Sequence, residues 1–322
     1  MVDCFPFKTA LVTGGAGFIG SHLVEQLLKL NVTVTCLDNF SGGKTDNLEG
    51  VFKHPLLTVV KADITNYDEI VHWFKGVDIV FHQAVSKNSV CMINPRLDLK
   101  TNAEGTFNVL EASRVHQVKK VIHASTGSVY GEPKYVPEDE HHPTDPVSYY
   151  GASKLTAEKY CQVFRHLHGM DISILRYFHV YGPRQEDNDY GGVVSIFIRR
   201  VLNNQPPVIY GDGSQIRSFT YVRDVVKANL LVAKNSTTKG EIYNCASGLK
   251  ISIKQLAELI LKNMDRRDLH IAYSSWKPGD IKSFDISNAK IKNIGMRFQW
   301  EFEQGVMETI KWLTYKYRGD AE

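Results

Sequence analysis

The chain has 322 residues, of which 43% are hydrophobic and 23% are charged, and its formal net charge is +3. A chain of this length can bury a large core, and it carries no charge excess that would favour nucleic acid or an anionic membrane surface as a partner. We find neither the pattern of a signal peptide nor an apolar run long enough to span a membrane. The five cysteines lack the spacing of a metal site or a disulfide framework, so we expect a cytoplasmic protein.

Short β-rich segments alternate with helical patterns through the first half of the chain. The predicted strands cover residues 9–13, 33–37, 57–62, 78–82, 120–125 and 172–178, and helical patterns cover 19–30 and 101–116. Because these strands have few polar interruptions and alternate with helices, they predict an α/β fold with a doubly wound parallel sheet.

The pattern of predicted elements changes after residue 178, where segments rich in Gly, Pro and Asp, interpreted as loops, surround isolated predicted helices. We interpret this part as a smaller C-terminal lobe that binds substrate. A helix–strand pair at about 219–247 is expected to return to the first domain. The predicted domains are therefore 1–178 with about 219–247, and 179–218 with 248–322.

A glycine-rich turn joins the first predicted strand to the first helix, in the segment TALVTGGAGFIGSHL. Gly14, Gly17 and Gly20 allow a tight turn and close approach of backbone N–H groups to a pyrophosphate, and Phe18 and Ile19 open the helix whose N-terminus favours that charge. This placement predicts a Rossmann-type dinucleotide site.

The second predicted strand ends at Asp38, where a carboxylate can accept hydrogen bonds from an adenosine ribose. A carboxylate there repels a 2′-phosphate, so NAD is predicted over NADP. Asp63, at the end of the third strand, is interpreted as lining the adenine pocket or as a simple cap of the strand end. The neighbouring Asn39 and Ile64 are assigned to the same cofactor site.

Two adjacent tyrosines precede Gly-Ala-Ser-Lys in the segment VSYYGASK. If a helix begins near residue 150, Tyr150 and Lys154 share one face and Tyr149 points elsewhere. A tyrosine near an ammonium group and a cationic nicotinamide ring is expected to have a depressed pKa and to act as a general base. Tyr-x-x-x-Lys alone also occurs on solvated helix faces, but the hydroxyl residues at the end of the strand ASTGSVYG can supply a partner for the same proton.

Together these features resemble the extended short-chain dehydrogenase/reductase family, in its nucleotide-sugar branch. The resemblance covers nearly the whole chain and includes the blocks TGGAGFIGSHLV, HQAV, NAEGTFNVLEA, STGSVYG, YGASK, LRYFHVYGPR, YGDGSQIRSFTYVRDV and PGDI. It implies that Tyr150 is the catalytic base, that Lys154 holds the nicotinamide ribose, and that Thr126 assists the tyrosine. It also implies cofactor contacts for three further residues, Lys87, Asn102 and Tyr177.

The strand tip suggests which reaction follows. Members of this branch oxidise a sugar hydroxyl, and the 4,6-dehydratases then use acidic residues at the strand tip to eliminate water. This chain has Gly127 and Ser128 at those positions. The resemblance therefore implies a UDP-sugar 4-epimerase that works through a 4-keto intermediate on UDP-glucose/UDP-galactose or their N-acetylated forms. Alternatives are a 4,6-dehydratase, a 2- or 3,5-epimerase, or a non-catalytic NAD-binding scaffold, although such scaffolds usually lose the Tyr or the Lys.

A nucleoside diphosphate-sugar requires cations and hydrogen-bond donors, and the resemblance assigns Arg217 to its pyrophosphate. Lys277 stands where the family usually has Arg, and His179 stands where it has Asn, so we expect the bulk and titration of His179 to affect substrate choice or pH dependence. The complete predicted substrate set is Thr126, Ser128, Tyr150, His179, Val194, Tyr210, Arg217, Lys277 and Asp280.

No metal site is predicted, and the adjacent His141 and His142 are interpreted as a surface loop because no third ligand has a suitable spacing. The family resemblance implies a homodimer formed by the Tyr-x-x-x-Lys helix and the helix before it. Phe107, Leu110 and Val115 are candidates for that interface, although their pattern also fits packing against the sheet.

Overall fold

The computed structural model describes residues 5–86, 88–188, 191–276 and 285–319. They form two compact units. The first contains the residues up to Gly131 together with Pro143–Tyr177 and Val226–Tyr243, and the second contains Glu132–His142, Phe178–Val225 and the residues from Asn244 onward.

These bounds differ from the predicted domains in four places, of which the smallest is Phe178, which lies in the second unit. Residues 132–142 lie in the second unit because a parallel bridge there joins Glu138 to Ile286. Residues 219–225 also lie there, where Thr220–Tyr221 pairs with Val180–Tyr181. Residues 244–247 belong to the second unit as well. Pairing between distant segments therefore sets these bounds, and composition along the chain does not report it.

The strands in chain order are β1 (Thr9–Thr13), β2 (Thr33–Asp38), β3 (Leu57–Lys61), β4 (Ile79–His82), β5 (Lys120–Thr126), β6 (Ile172–Tyr177), β7 (Val180–Tyr181), β8 (Val208–Tyr210), β9 (Ile216–Arg217), β10 (Thr220–Tyr221), β11 (Ile242–Cys245), β12 (Ile251–Ser252) and β13 (Ala272–Ser274). The α-helices are α1 (Phe18–Lys29), α2 (Tyr67–Ile70), α3 (Asn88–Cys91), α4 (Pro95–Leu99), α5 (Gly105–Val115), α6 (Tyr149–His168), α7 (Val193–Leu202), α8 (Val222–Lys234), α9 (Ile253–Asn263), α10 (Ala289–Asn293) and α11 (Phe302–Gly319).

A seven-stranded sheet has the order β11-β6-β5-β4-β1-β2-β3, and the pairs from β3 through β6 are parallel. The chain starts in the middle of this sheet and winds outward in both directions, which confirms the predicted doubly wound fold. The carboxyl ends of β1, β4 and β5 are neighbours, so residues just after Thr13, His82 and Thr126 meet at one edge. Ligands bind at that edge in open α/β sheets.

One face of this sheet is covered by a continuous apolar core. Its members are buried side chains of β1–β6 and of the helices packed on them: Leu11, Leu37, Val60, Ile70, Phe74, Val80, Val109, Leu110, Val121, Cys161, Phe164, Ile172 and Ile174. Close packing of this kind holds the strand ends in fixed positions.

The second unit is built from short strand pairs and helices. β7 pairs with β10 and β8 with β13, both parallel, while β9 and β12 are antiparallel. This unit contains an aromatic cluster formed by Tyr181, Phe219 and Phe302. Tyr181 meets each of the two phenylalanine rings edge-on, and the two phenylalanine rings are tilted against each other. No helix in the described part of the chain is long and apolar enough to cross a bilayer.

Candidate active site

The glycine-rich turn between β1 and α1 leaves no space for a side chain at Gly14 or Gly20. Gly14 has a φ of 65°, and a Cβ there would lie 2.7 Å from the backbone nitrogen of Ala84. A Cβ on Gly20 would lie 2.1 Å from the carbonyl oxygen of Gly14. The N-cap of α1 is Gly17, which offers no capping side chain, and the first turn has no acidic residue. The positive end of α1 is thus suited to a pyrophosphate.

Replacing Gly20 by alanine is expected to open this turn, because the contact to Gly14 is made by rigid backbone. We expect a loss of NAD affinity of at least about tenfold, since one hydrogen bond to a charged group contributes about 1.5–3 kcal/mol. Gly50→Ala is the control, because its Cβ would meet only a flexible Glu25 oxygen at 3.9 Å. Equilibrium binding of NAD measures both variants, and equal affinities would contradict the assigned turn.

Asp38 is held against the same turn. Its Oδ2 accepts from the Ala16 N–H at 2.9 Å and its Oδ1 from the Phe40 N–H at 2.8 Å. Burial raises the pKa of Asp38, and the two backbone hydrogen bonds partly offset this. Each carboxylate oxygen has a second lone pair, so the group can still accept from a ribose hydroxyl.

Asp63 makes the contacts of a cap. Its Oδ1 accepts from the Thr65 N–H and its Oδ2 from the Asn39 side chain, both at 2.8 Å. Burial acts to raise the pKa of Asp63, but these hydrogen bonds outweigh it and hold the pKa below its usual value. The adenine contact remains a prediction for Asp63 and Asn39, while Ile64 is buried.

Helix α6 begins at Tyr149, and its start is set by Ser148, whose Oγ accepts from the Gly151 N–H at 3.0 Å. Tyr150 and Lys154 therefore lie on one face. Tyr149 is 59% exposed, whereas Lys154 is only 2% exposed. Thr126, the last residue of β5, forms a side-chain hydrogen bond with Tyr150. The structure thus brings together the tyrosine, the lysine and the hydroxyl that the sequence pattern singled out.

Burial shifts the pKa values of Tyr150 and Lys154 in the protein alone. Burial raises the pKa of Tyr150 to about 12, and the hydrogen bond with Thr126 offsets only part of that rise. Burial also lowers the pKa of Lys154 to about 8, although nearby Cys161 and Glu158 act to raise it. The protein alone therefore keeps Tyr150 protonated at neutral pH, and the depressed pKa expected beside a bound nicotinamide ring stays a prediction.

Asn102 lies in a π-helical turn, Lys100–Glu104, which the sequence pattern did not predict. Its Oδ1 accepts from the Ser86 N–H at 2.8 Å, and its Nδ2 donates toward Asp98 and Ser153 at 2.9 and 3.0 Å. Both ends of the amide contact protein groups, which indicates a positioning role, and the predicted cofactor contact of Asn102 stays a prediction. Turns of this type are frequent at functional sites.

Tyr177 ends β6 and joins a polar cluster. Its hydroxyl accepts from Asn229 Nδ2 at 2.8 Å and lies 3.2 Å from Gln83 Oε1. Pattern analysis did not identify Gln83 or Asn229, because they lie far apart in the chain. The nicotinamide contact of Tyr177 stays a prediction.

In the second unit, the predicted substrate residue Arg217 is buried and His179 is partly buried. Arg217 Nη1 donates to the Ile216 carbonyl at 3.0 Å. His179 has a φ of 38°, and its ring meets Phe219 edge-on at 5.9 Å. Burial and the charge of Arg217 lower the pKa of His179 to about 3. The imidazole is therefore neutral near pH 7, so the expected pH dependence from its titration is not supported.

The remaining predicted substrate residues have varied surroundings. Ser128 follows β5 and donates its N–H to Thr126 Oγ1 at 3.2 Å. Val194 is buried in α7, and Tyr210 is half-exposed at the end of β8. Three predicted residues lie outside the described residues, namely Lys87, Lys277 and Asp280.

The structure corrects two interpretations that were based on the sequence pattern, those of His142 and Leu110. His142 is buried, where its Nε2 accepts from the Lys134 N–H at 2.9 Å and its ring stacks on Tyr135, so it anchors its loop and is not a surface residue. Leu110 is buried in the core, which removes it from the candidate interface. Phe107 and Val115 remain exposed.

The chain combines a doubly wound parallel sheet, a glycine-rich turn after β1, and a helix that carries Tyr150 and Lys154. These features are typical of dinucleotide-dependent enzymes with a Rossmann fold. The chain belongs to the NAD-dependent epimerase/dehydratase family, whose profile matches residues 10–246. It is thus an NAD-dependent enzyme of nucleotide-sugar chemistry, which confirms the predicted cofactor and family.

Relatives and solved structures match nearly the full chain. A relative from Methanocaldococcus jannaschii, provisionally named UDP-glucose 4-epimerase, is 40% identical over 94% of this chain and 97% of its own length. A UDP-N-acetyl-alpha-D-glucosaminuronate decarboxylase from Bacillus cytotoxicus is 35% identical over 95% and 98%. The structure of a UDP-N-acetylglucosamine 4-epimerase from Methanobrevibacter ruminantium, in complex with UDP-N-acetylmuramic acid, is 36% identical over 96% and 99%, with a TM-score of 0.91.

Proposed function

We propose that the protein is a UDP-sugar 4-epimerase that interconverts gluco and galacto configurations through a 4-keto intermediate. The observation that carries this proposal is the tip of β5, where Thr126 contacts Tyr150 and is followed by Gly127 and Ser128. Neither residue can act as the acid that elimination of water requires. Oxidation at C4 and return of the same hydride is the chemistry that these residues support.

The roles of the chain's own residues follow from their positions. Tyr150 accepts the proton of the sugar 4-hydroxyl, and Thr126 hydrogen-bonds to the tyrosine. Lys154, on the same helix face, is placed for the ribose that carries the nicotinamide. Bound NAD supplies a hydride acceptor, and the positive charge of its oxidised ring favours the phenolate that the protein alone does not stabilise. Because the hydride returns, no external redox partner is needed.

The two units are assigned different ligands in this proposal. The first contains the glycine turn and Asp38 and would hold NAD. The second contains Arg217, which is nearly buried and can donate paired hydrogen bonds to a pyrophosphate. The names of the relatives from M. jannaschii and M. ruminantium support UDP-glucose and UDP-N-acetylglucosamine as substrates.

The experiment is an NMR assay in D₂O with a panel of UDP-sugars and no added NAD. We expect interconversion of gluco and galacto forms with no deuterium bound to carbon, because the enzyme returns its own hydride. Deuterium entering the ring or C6, or an accumulating 4-keto product, would mean enolisation or elimination and would overturn the assignment. The sugar that reacts identifies whether N-acetylated substrates are accepted.

We also propose a homodimer formed by α5 and α6. Tyr160, Val163 and Leu167 lie at helical spacing on the exposed side of α6, and Phe107 of α5 meets Tyr160 edge-on at 5.4 Å. Contiguous exposed apolar side chains of this kind mark association surfaces. A cytoplasmic location is proposed on the basis of the four described cysteines, which form no disulfide with one another.

A variant carrying both Val163→Glu and Leu167→Glu is expected to be monomeric, because it places charges in the proposed apolar interface. Sedimentation equilibrium measures the change in mass. Tyr315→Glu is the control, since Tyr315 is 81% exposed on α11. A wild-type monomer, or a double variant that stays dimeric, would exclude this interface.

A further inference from the structure

The ammonium group of Lys154 has an unusual partner. Its Nζ lies 3.4 Å from His123 Nε2, which is its hydrogen-bond partner among the described residues. The nearest carboxylate along the helix, Glu158, is already engaged: its Oε1 accepts from Ser125 at 2.5 Å, and Arg176 donates to both oxygens at 2.9 and 2.7 Å. Glu158 is thus largely neutralised, and the direct contact to Lys154 comes from an imidazole.

The protonation of His123 follows from this contact. An ammonium group can only donate, so His123 Nε2 must accept and the proton of the neutral ring must lie on Nδ1. His123 is fully buried, and its Nδ1 has no hydrogen-bond partner among the described residues. A buried donor without a partner costs free energy and calls for a functional explanation.

A second histidine, His82, lies beside the ring of His123 on the neighbouring strand. The ring centroids of His82 and His123 are 5.2 Å apart. Thr106 gives its proton to the Asn102 carbonyl at 2.6 Å, so its oxygen accepts from His82 Nε2 at 2.9 Å. Thr13 then donates to His82 Nδ1 at 2.7 Å. His82 is therefore a neutral ring of fixed orientation, held by the residue that precedes the glycine turn.

Several charged or titratable groups face Lys154. These are Glu158, Cys161 and Tyr150 on α6, Asp98 on α4, His82 on β4 and His123 on β5. Burial lowers the pKa of both histidines, and the positive charge of Lys154 lowers them further. Both rings are therefore neutral near pH 7.

We propose that His123 is a positioning residue that holds the Lys154 ammonium in place and keeps it protonated, without forming an ion pair that would compete with the ribose. A neutral acceptor favours the charged lysine and leaves its other two N–H donors available for ribose hydroxyls. This inference rests on the proposed role of Lys154, and its tests do not depend on epimerase turnover.

The first test measures NAD binding as a function of pH. Loss of the acceptor removes stabilisation of the charged form, so the pKa of Lys154 falls. The loss of NAD affinity that accompanies a rise in pH then begins at a lower pH than in the wild type. In His123→Phe we expect the midpoint of this alkaline loss of NAD affinity to lie about one pH unit lower than in the wild type. A shift of that size corresponds to one weak hydrogen bond of a charged group. His123→Gln places an amide oxygen near the position of Nε2 and should restore most of the shift. An unchanged profile in His123→Phe would overturn the proposal.

The second test uses the wild-type protein and holds even if the phenylalanine variant fails to fold. Nitrogen-15 NMR of the histidine rings should show His123 with a proton on Nδ1 and an unprotonated Nε2. A ring carrying its proton on Nε2 would overturn the proposal, because such a nitrogen cannot accept from Lys154. Failure of the epimerase assay alone, with both results as expected, would instead count against the proposed reaction.

Discussion

Replacing Tyr150 by phenylalanine is expected to lower kcat for epimerisation by roughly 10²–10⁴-fold, the usual contribution of a general base. The phenyl ring fills the same space but cannot accept the sugar proton. NAD binding should persist, because Lys154 and the glycine turn are unchanged. The measurement is the rate of interconversion of the reactive UDP-sugar, with bound NAD quantified in the same preparation.

The adjacent tyrosine provides a matched control for this substitution. Tyr149 is 59% exposed at the first residue of α6, so Tyr149→Phe makes the same chemical change outside the cluster of Thr126 and Lys154. Its kcat should stay near that of the wild type. A large loss of kcat in Tyr149→Phe with an active Tyr150→Phe would reverse the assignment of the two tyrosines.

Removing Arg176 is expected to have the largest effect on stability. Arg176 and Glu158 form a buried bidentate pair, and the Arg176 guanidinium also stacks on the Tyr130 ring at 4.6 Å. Arg176→Met leaves the carboxylate of Glu158 buried without its cation, which typically costs about 3–5 kcal/mol. Urea and thermal unfolding measure the loss.

An exposed pair of the same geometry is the control for this prediction. Arg114 contacts Glu111 in bidentate fashion at 2.6 and 2.8 Å on the surface of α5. Arg114→Met should change the unfolding midpoint little, because water screens the exposed pair. Adding Glu158→Leu to Arg176→Met should recover part of the lost stability. Equal effects of the two arginine substitutions would show that burial does not control the strength of these pairs.

Local pattern was sufficient for the sheet and for the register of the reactive helix. The predicted strand at 33–37 is observed as Thr33–Asp38, and the one at 172–178 as Ile172–Tyr177. Alternation of apolar strands with helices has few folded solutions, so the doubly wound order follows. Tyr150 and Lys154 share a face because helical spacing and the Ser148 cap determine it.

The local sequence pattern could not predict contacts between distant segments of the chain. The π-helical turn at Asn102 and the assignment of residues 132–142 to the second unit depend on partners far along the chain. The burial of His142 depends on how its own loop folds around Lys134 and Tyr135. The pKa of Tyr150 in the protein alone likewise depends on burial, which raises it.

The sequence by itself determined the sheet, the glycine turn, the acid at Asp38 and the spacing of Tyr150 and Lys154, since each depends on residues adjacent in the chain or one helical turn apart. Only the tertiary structure decided that His123 on β5 meets Lys154 on α6 and that both ends of the Asn102 amide contact protein groups. Spacing along one element fixes which side chains share a face, whereas packing between elements decides what that face touches and how strongly burial shifts its charges.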